Sequence, residues 1–132
     1  MKDKIEKSVI TALTNKKYVV GNDIVFLPNF KHSLTAEFKN KVYSPNEQAY
    51  CDQFDDAALR YASTWAAKEA VYKAFKQLSG EVLAWNKIEI TREKIAGKPS
   101  VILHQYPGQH QIGLTITHDN DYVWAIATIE RQ

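Results

Sequence analysis

A chain of 132 residues is the length of one domain, long enough to bury a core without disulfide or metal staples. Its 45% hydrophobic and 24% charged residues are ordinary for a soluble globular protein, and a net charge of +2 supplies no general basic field for nucleic acid. Cys51 is the single cysteine, which excludes an internal disulfide and points to a reducing compartment, the cytoplasm; no apolar run reaches the ~20 residues of a membrane span or resembles a secretion signal.

In chain order, Ile5, Val9, Ile10 and Leu13 recur at helical spacing and predict a short amphipathic helix from about Lys4 to Leu13, with a turn at TNKK. YVVGNDIVF is β-branched and apolar and reads as a strand. LPNF ends it, because Pro28 has no N–H to give a ladder. LTAEFKNKVY reads as a short helix. SPNEQAYC carries a helix start, with Ser44 as N-cap, Pro45 at the first helical position and Glu47 closing a capping box. Asp55 and Asp56 precede the longest helical segment, about Ala57 to Leu78, and Ser79-Gly80 stops it. Beyond it NKIEITRE, PSVILH, QIGLTITH and YVWAIATIE read as three or four strands, with turns at AGKP, YPGQ and HDND. Helices first and most strands last predict an α+β domain, the long helix packed on a mostly antiparallel sheet.

On that helix Leu59, Ala66, Ala70, Ala74 and Leu78 span one broad side, and Val71, Phe75, Tyr72 and Trp65 fill much of the remainder. A helix apolar nearly all round is a buried helix. Yet Glu69, Lys73 and Lys76 form a narrow polar stripe, with Lys68 well away from it. Spacing leaves two readings open. One is a solvated Glu–Lys pair; the other is a partly buried carboxylate beside lysines, which suits a divalent cation and a phosphate. Three further pieces are weak singly: GNDIV with Asp23 after a glycine, the turn AGKP, and ITHD ending a strand at His118.

Taken in order, these segments resemble the 4′-phosphopantetheinyl transferase superfamily, in its short holo-acyl-carrier-protein synthase branch. GNDIV resembles the G-x-D-I-V strand, VYSPNEQAYC the aromatic–Ser/Thr–Glu segment, WAAKEAVYKAF the K-E-A-x-x-K helix, GKPSVIL the G-K-P hairpin, and LTITHDNDYVWAIA the closing strand pair. The likeness covers about residues 18 to 130. It implies one phosphopantetheinyl transferase domain at 18–132 behind an N-terminal extension at 1–17. The implied reaction is transfer of 4′-phosphopantetheine from coenzyme A to a serine of an apo acyl carrier protein, with release of 3′,5′-ADP. The resemblance gives Mg²⁺ to Asp23 and Glu69 and the catalytic roles to Glu69, Lys73 and Asp23. It sets Lys68 and Lys73 by the coenzyme A phosphates, Lys98 and Pro99 along the adenosine end, and His118 near the 3′-phosphate. Trp65 is expected to pack at the helix–sheet interface.

The short branch forms its site between subunits, so a homotrimer is implied, as is a place in fatty-acid synthesis; neither nucleic acid nor membrane is expected as partner. Three departures stand out. Family arginines are replaced by Asn29, Thr64 and Lys41, and arginine and lysine are not equivalent at phosphate forks. These departures motivate an alternative, a non-catalytic homologue that binds coenzyme A or a carrier. Trp65 is similar to the W-x-x-K-E of the larger branch, whose further acid is here Val25. Lys31, Lys39 and Lys41 are basic side chains available to an acidic carrier.

Overall fold

The computed structural model describes Lys4 and residues 17–93 and 97–131. The helix expected over Lys4 to Leu13, apart from Lys4, lies outside the described residues, as do all of the turn TNKK but Lys17 and the first residue of AGKP.

Strand β1 (Tyr18–Phe26) is followed by three short helices, α1 (Leu27–Ser33), α2 (Ala36–Val42) and α3 (Pro45–Asp52), and then by the long helix α4 (Ala57–Leu78). A 3-10 turn at Trp85–Lys87 leads into β2 (Ile88–Arg92), β3 (Pro99–Leu103), β4 (Ile112–Asp119) and β5 (Tyr122–Glu130). The α+β architecture, with the long helix on antiparallel strands, is as the sequence predicts. The strands form two sheets: β1-β5-β4, with β1 at an edge, and the hairpin β2-β3.

One local difference concerns LPNF. The sequence reads it as the end of a strand, and α1 starts there, with Pro28 in its first turn where a missing N–H costs nothing. The capping box forms as predicted: Glu47 N donates to Ser44 Oγ at 3.2 Å and Ser44 N to Glu47 Oε1 at 2.9 Å.

Small residues set the distance between α4 and the three-stranded sheet. Ala62, Ala66, Ala70 and Ala74 are fully buried, as are Val123, Ala125, Ala127 and Ile129 of β5. On β1 the helix-facing row is Val19, Gly21, Asp23 and Val25. A Cβ on Gly21 would run into the Ala70 carbonyl oxygen and stand 2.7 Å from Ala74 N, so only glycine admits the helix this close.

The other side of α4 is fastened by a buried ion. Lys68 has no exposed side-chain surface, and its Nζ sits 2.7 Å from Glu47 Oε1. The same ammonium donates to Val42 O at 2.9 Å, Trp85 O at 2.9 Å and Ile88 O at 2.6 Å. One side chain thus joins α4 to the end of α2, the start of α3, the 3-10 turn and β2. Burial pushes the Glu47 carboxyl up and the Lys68 ammonium down, and their mutual attraction opposes both shifts. Removing one partner strands the other charge. Lys68→Met is therefore expected to cost about 3–5 kcal/mol in urea unfolding, with part of the loss recovered in Lys68→Met/Glu47→Gln, which removes the stranded charge and keeps a carbonyl oxygen for the Ser44 or Ile90 N–H. A single variant as stable as the parent would refute the hub.

Candidate active site

Asp23 projects from the helix-facing row of β1, and Glu69 and Lys73 sit one turn apart on α4. Lys73 Nζ is 2.9 Å from Asp23 Oδ1 and also donates to Asn22 O at 3.1 Å. The Lys73 side chain is 53% exposed and that of Asp23 only 12% exposed, so the carboxylate is fixed and the ammonium can turn to solvent. The stripe that the sequence leaves ambiguous is therefore the polar rim of a close helix–strand contact.

Glu69 and Asp23 bring their carboxyls to the same pocket. Partial burial first, then the neighbouring Asp23 carboxyl, push the Glu69 carboxyl up to about 7, against the attraction of Lys73. An acid tuned there exchanges a proton readily at neutral pH. Both carboxyls line a pocket of about 300 Å³, walled by Phe26, Asn29, Phe30, Ser33 and Trp65.

Two carboxyls at one pocket, with the Lys73 ammonium paired to Asp23, fit a small divalent cation. Among the described residues no group of three or more His, Cys, Asp or Glu side chains forms a metal site. The pair would leave the remaining positions around Mg²⁺ to water and phosphate oxygens, the usual pattern for that ion.

The other predicted site residues lie elsewhere. Lys68 does not join the group: it is fully buried, with its ammonium held by Glu47 and three carbonyls, so the expectation of a phosphate contact gives way to the structural hub. Lys98 and Pro99 stand at the start of β3, where Pro99 pairs with Arg92, and neither lines the acid pocket. His118 is on the far edge strand β4 and lines a separate apolar hollow with Ile24, Tyr122 and Trp124. Trp65 packs against Phe38 of α2 and Trp85 of the 3-10 turn, and forms part of the pocket wall with the end of β1.

Asn29 lines that pocket, whereas Thr64 is fully buried, donating to Arg60 O at 2.9 Å. The wall residues Phe30 and Ser33 belong to α1, where the sequence predicts a strand ending, and Phe26 closes β1. Pro28 followed by Phe30 was the available signal, a first-turn proline with an apolar residue behind it.

A family model of the 4′-phosphopantetheinyl transferase superfamily matches residues 19–127. The holo-[acyl-carrier-protein] synthase of Anaeromyxobacter dehalogenans is 35% identical over 84% of this chain and 94% of its own. That of Chlorobaculum parvum is 36% identical over 70% of this chain and 79% of its own. Among solved structures, an ACPS–CoA complex from Chronobacterium ammoniagenes superposes with a TM-score of 0.76 at 26% identity, over 89% of this chain and 99% of that one.

The raised Glu69 carboxyl has a consequence for the metal-free protein. The folded state holds this proton more tightly than the unfolded chain does. Its stabilising effect is complete below the ordinary value of 4.5 and is lost as the pH rises through about 7. Glu69→Gln carries no such proton. Its stability relative to the parent is expected to rise between about pH 5 and about pH 8 in EDTA, measured by urea unfolding. A stability difference that does not vary with pH would refute the assignment.

Proposed function

The chain belongs to the 4′-phosphopantetheinyl transferase superfamily, and on that premise we propose that it moves 4′-phosphopantetheine from coenzyme A to a serine of an apo acyl carrier protein, with Mg²⁺ held by Asp23 and Glu69 and with release of 3′,5′-ADP. The observation that supports this reading is the meeting of Asp23 and Glu69 at one pocket, with Lys73 paired to Asp23 beside it. Glu69 takes the proton of the carrier serine, directly or through a water. The serine oxygen forms a bond to the phosphorus bearing the pantetheine arm, and the bond from that phosphorus to the bridging oxygen breaks. Lys73 swings from Asp23 toward the departing phosphate, a move its exposure allows. Bound to the two carboxylates, Mg²⁺ would neutralise charge growing on the phosphate oxygens.

The isolated chain leaves this pocket open on one side. Ile24, Phe26, Tyr122 and Trp124 are exposed apolar side chains of β1 and β5, on the sheet that flanks the site. A patch of this kind marks an interface. We assign it to a homotrimer in which a neighbour brings Lys98, Pro99 and His118 to the coenzyme A. Residues 18–132 then act as one catalytic domain, with a cytoplasmic place in fatty-acid synthesis. Lys31, Lys39 and Lys41 on α1 and α2 offer positive charge to an acidic carrier. Light scattering at micromolar concentration is expected to return three times the mass of the chain; a monomer would count against the assembly.

Intact-protein mass spectrometry of an apo carrier incubated with the chain, coenzyme A and Mg²⁺ tests the reaction. A gain of one phosphopantetheine, abolished by EDTA and reduced at least about 100-fold in Glu69→Gln, is expected. Coenzyme A binding without any gain on several carriers would favour a non-catalytic binding homologue, the reading that Asn29 and Thr64 motivate.

A further inference from the structure

Among the described residues β1 is an edge strand, so alternate backbone groups along one side have no ladder partner there. Two of its carbonyls receive side chains of α4 instead. Lys73 Nζ donates to Asn22 O at 3.1 Å, and Gln77 Nε2, one turn further along, donates to Val20 O at 2.7 Å. Gln77 Nε2 also donates to Lys73 O at 3.3 Å. Both partners are carbonyl oxygens, so only the amide nitrogen can face them, and each of its two hydrogens is engaged.

These polar pins matter because Gly21, between them, has no side chain of its own to key into the helix where it lies against Ala70 and Ala74. The ladder with β5 sets the register of β1 within the sheet, and Val19 and Val25 anchor it in the core. What the ladder leaves open is how closely the Val20–Asp23 stretch is drawn onto α4, and Asp23 is two residues from Gly21. The two pins differ in permanence. Lys73 also holds Asp23, and it must leave Asn22 and Asp23 if it is to meet a phosphate. Gln77 has no such second task.

We propose that Gln77 is a positioning residue for the acid pair: it holds the Val20–Asp23 stretch of β1 against α4, and keeps that hold while Lys73 moves to the phosphate. The second clause rests on the transferase reading, and the first does not.

Three variants test it in the full chain. Gln77→Met removes both bonds without charge. Gln77→Glu keeps the shape but presents acceptors to acceptors. Gln77→Lys restores a donor within reach of Val20 O. Mn²⁺ affinity, read by electron paramagnetic resonance without coenzyme A or carrier, is expected to fall about five- to tenfold in the Met and Glu variants and to return to within about twofold of the parent in Lys. Charge alone predicts the reverse order, since a carboxylate near the acids attracts Mn²⁺ and an ammonium repels it. Hydrogen exchange of the amides of residues 19–25 is expected to quicken in Met and Glu and to recover in Lys.

Unchanged Mn²⁺ affinity in Met and Glu would overturn the proposal, even with a lowered melting temperature, as would an order that follows charge. If the parent binds no Mn²⁺, the metal reading falls, and unchanged exchange in Gln77→Met would then overturn the hold itself.

Discussion

A methyl group at position 21 would occupy the same space as the backbone of α4 at Ala70 and Ala74. That exclusion governs the site. Helix and strand approach without side chains between them, and Asp23, next in the helix-facing row, comes level with Glu69 and Lys73. With a larger residue the helix would ride further out and the carboxyls would separate into solvent. The proximity that raises the Glu69 carboxyl is thus a packing result before it is an electrostatic one.

The two lysines of the K-E-A-x-x-K segment show how position on one helix divides labour. Lys68 faces the short helices and β2, is fully buried, and has four oxygens around its ammonium. Lys73 lies at the open rim with half its side chain in water and a single carboxylate partner. A buried ammonium so coordinated is a fastener and is not free to follow a phosphate. An exposed one can exchange partners at little cost, because a surface ion pair is worth little in either arrangement. Lys68 fixes the helix that carries Glu69; Lys73 is free to act.

Much of this was legible in the sequence. The bounds of α4, the Ser44–Glu47 capping box and the four later strands follow from periodicity and turn chemistry, which are local properties. The helix α1 was missed because LPNF carries a strand-breaking signal and a helix-starting one in the same residue, Pro28. The partner of Lys68 was missed because Glu47 already had a complete local explanation as a capping residue; a carboxylate has room for both roles, and its Oε1 serves Ser44 N and Lys68 together. Thr64 could be flagged as a departure but not placed, since burial beside Cys51 depends on how α3 packs on α4. Gln77 carried a signal in its spacing, four beyond Lys73 and eight beyond Glu69, but nothing local says that an edge strand lies opposite.

The same strand carries an exposed apolar face. β1 gives one face to α4 and leaves Ile24 and Phe26 on the other, beside Trp124 and Tyr122 of β5. Aromatic and branched side chains in water on one face of a sheet contrast with the other face, whose β1 and β5 rows are packed on α4. Asp23 and Ile24 are consecutive, so the residue that meets Glu69 and an exposed apolar residue are one peptide bond apart. Ile24 also lines the acid pocket, so whatever its backbone does is felt by the acids. The alternation of a β-strand makes that adjacency unavoidable: one side chain points to the helix that carries Glu69, and the next to the exposed face.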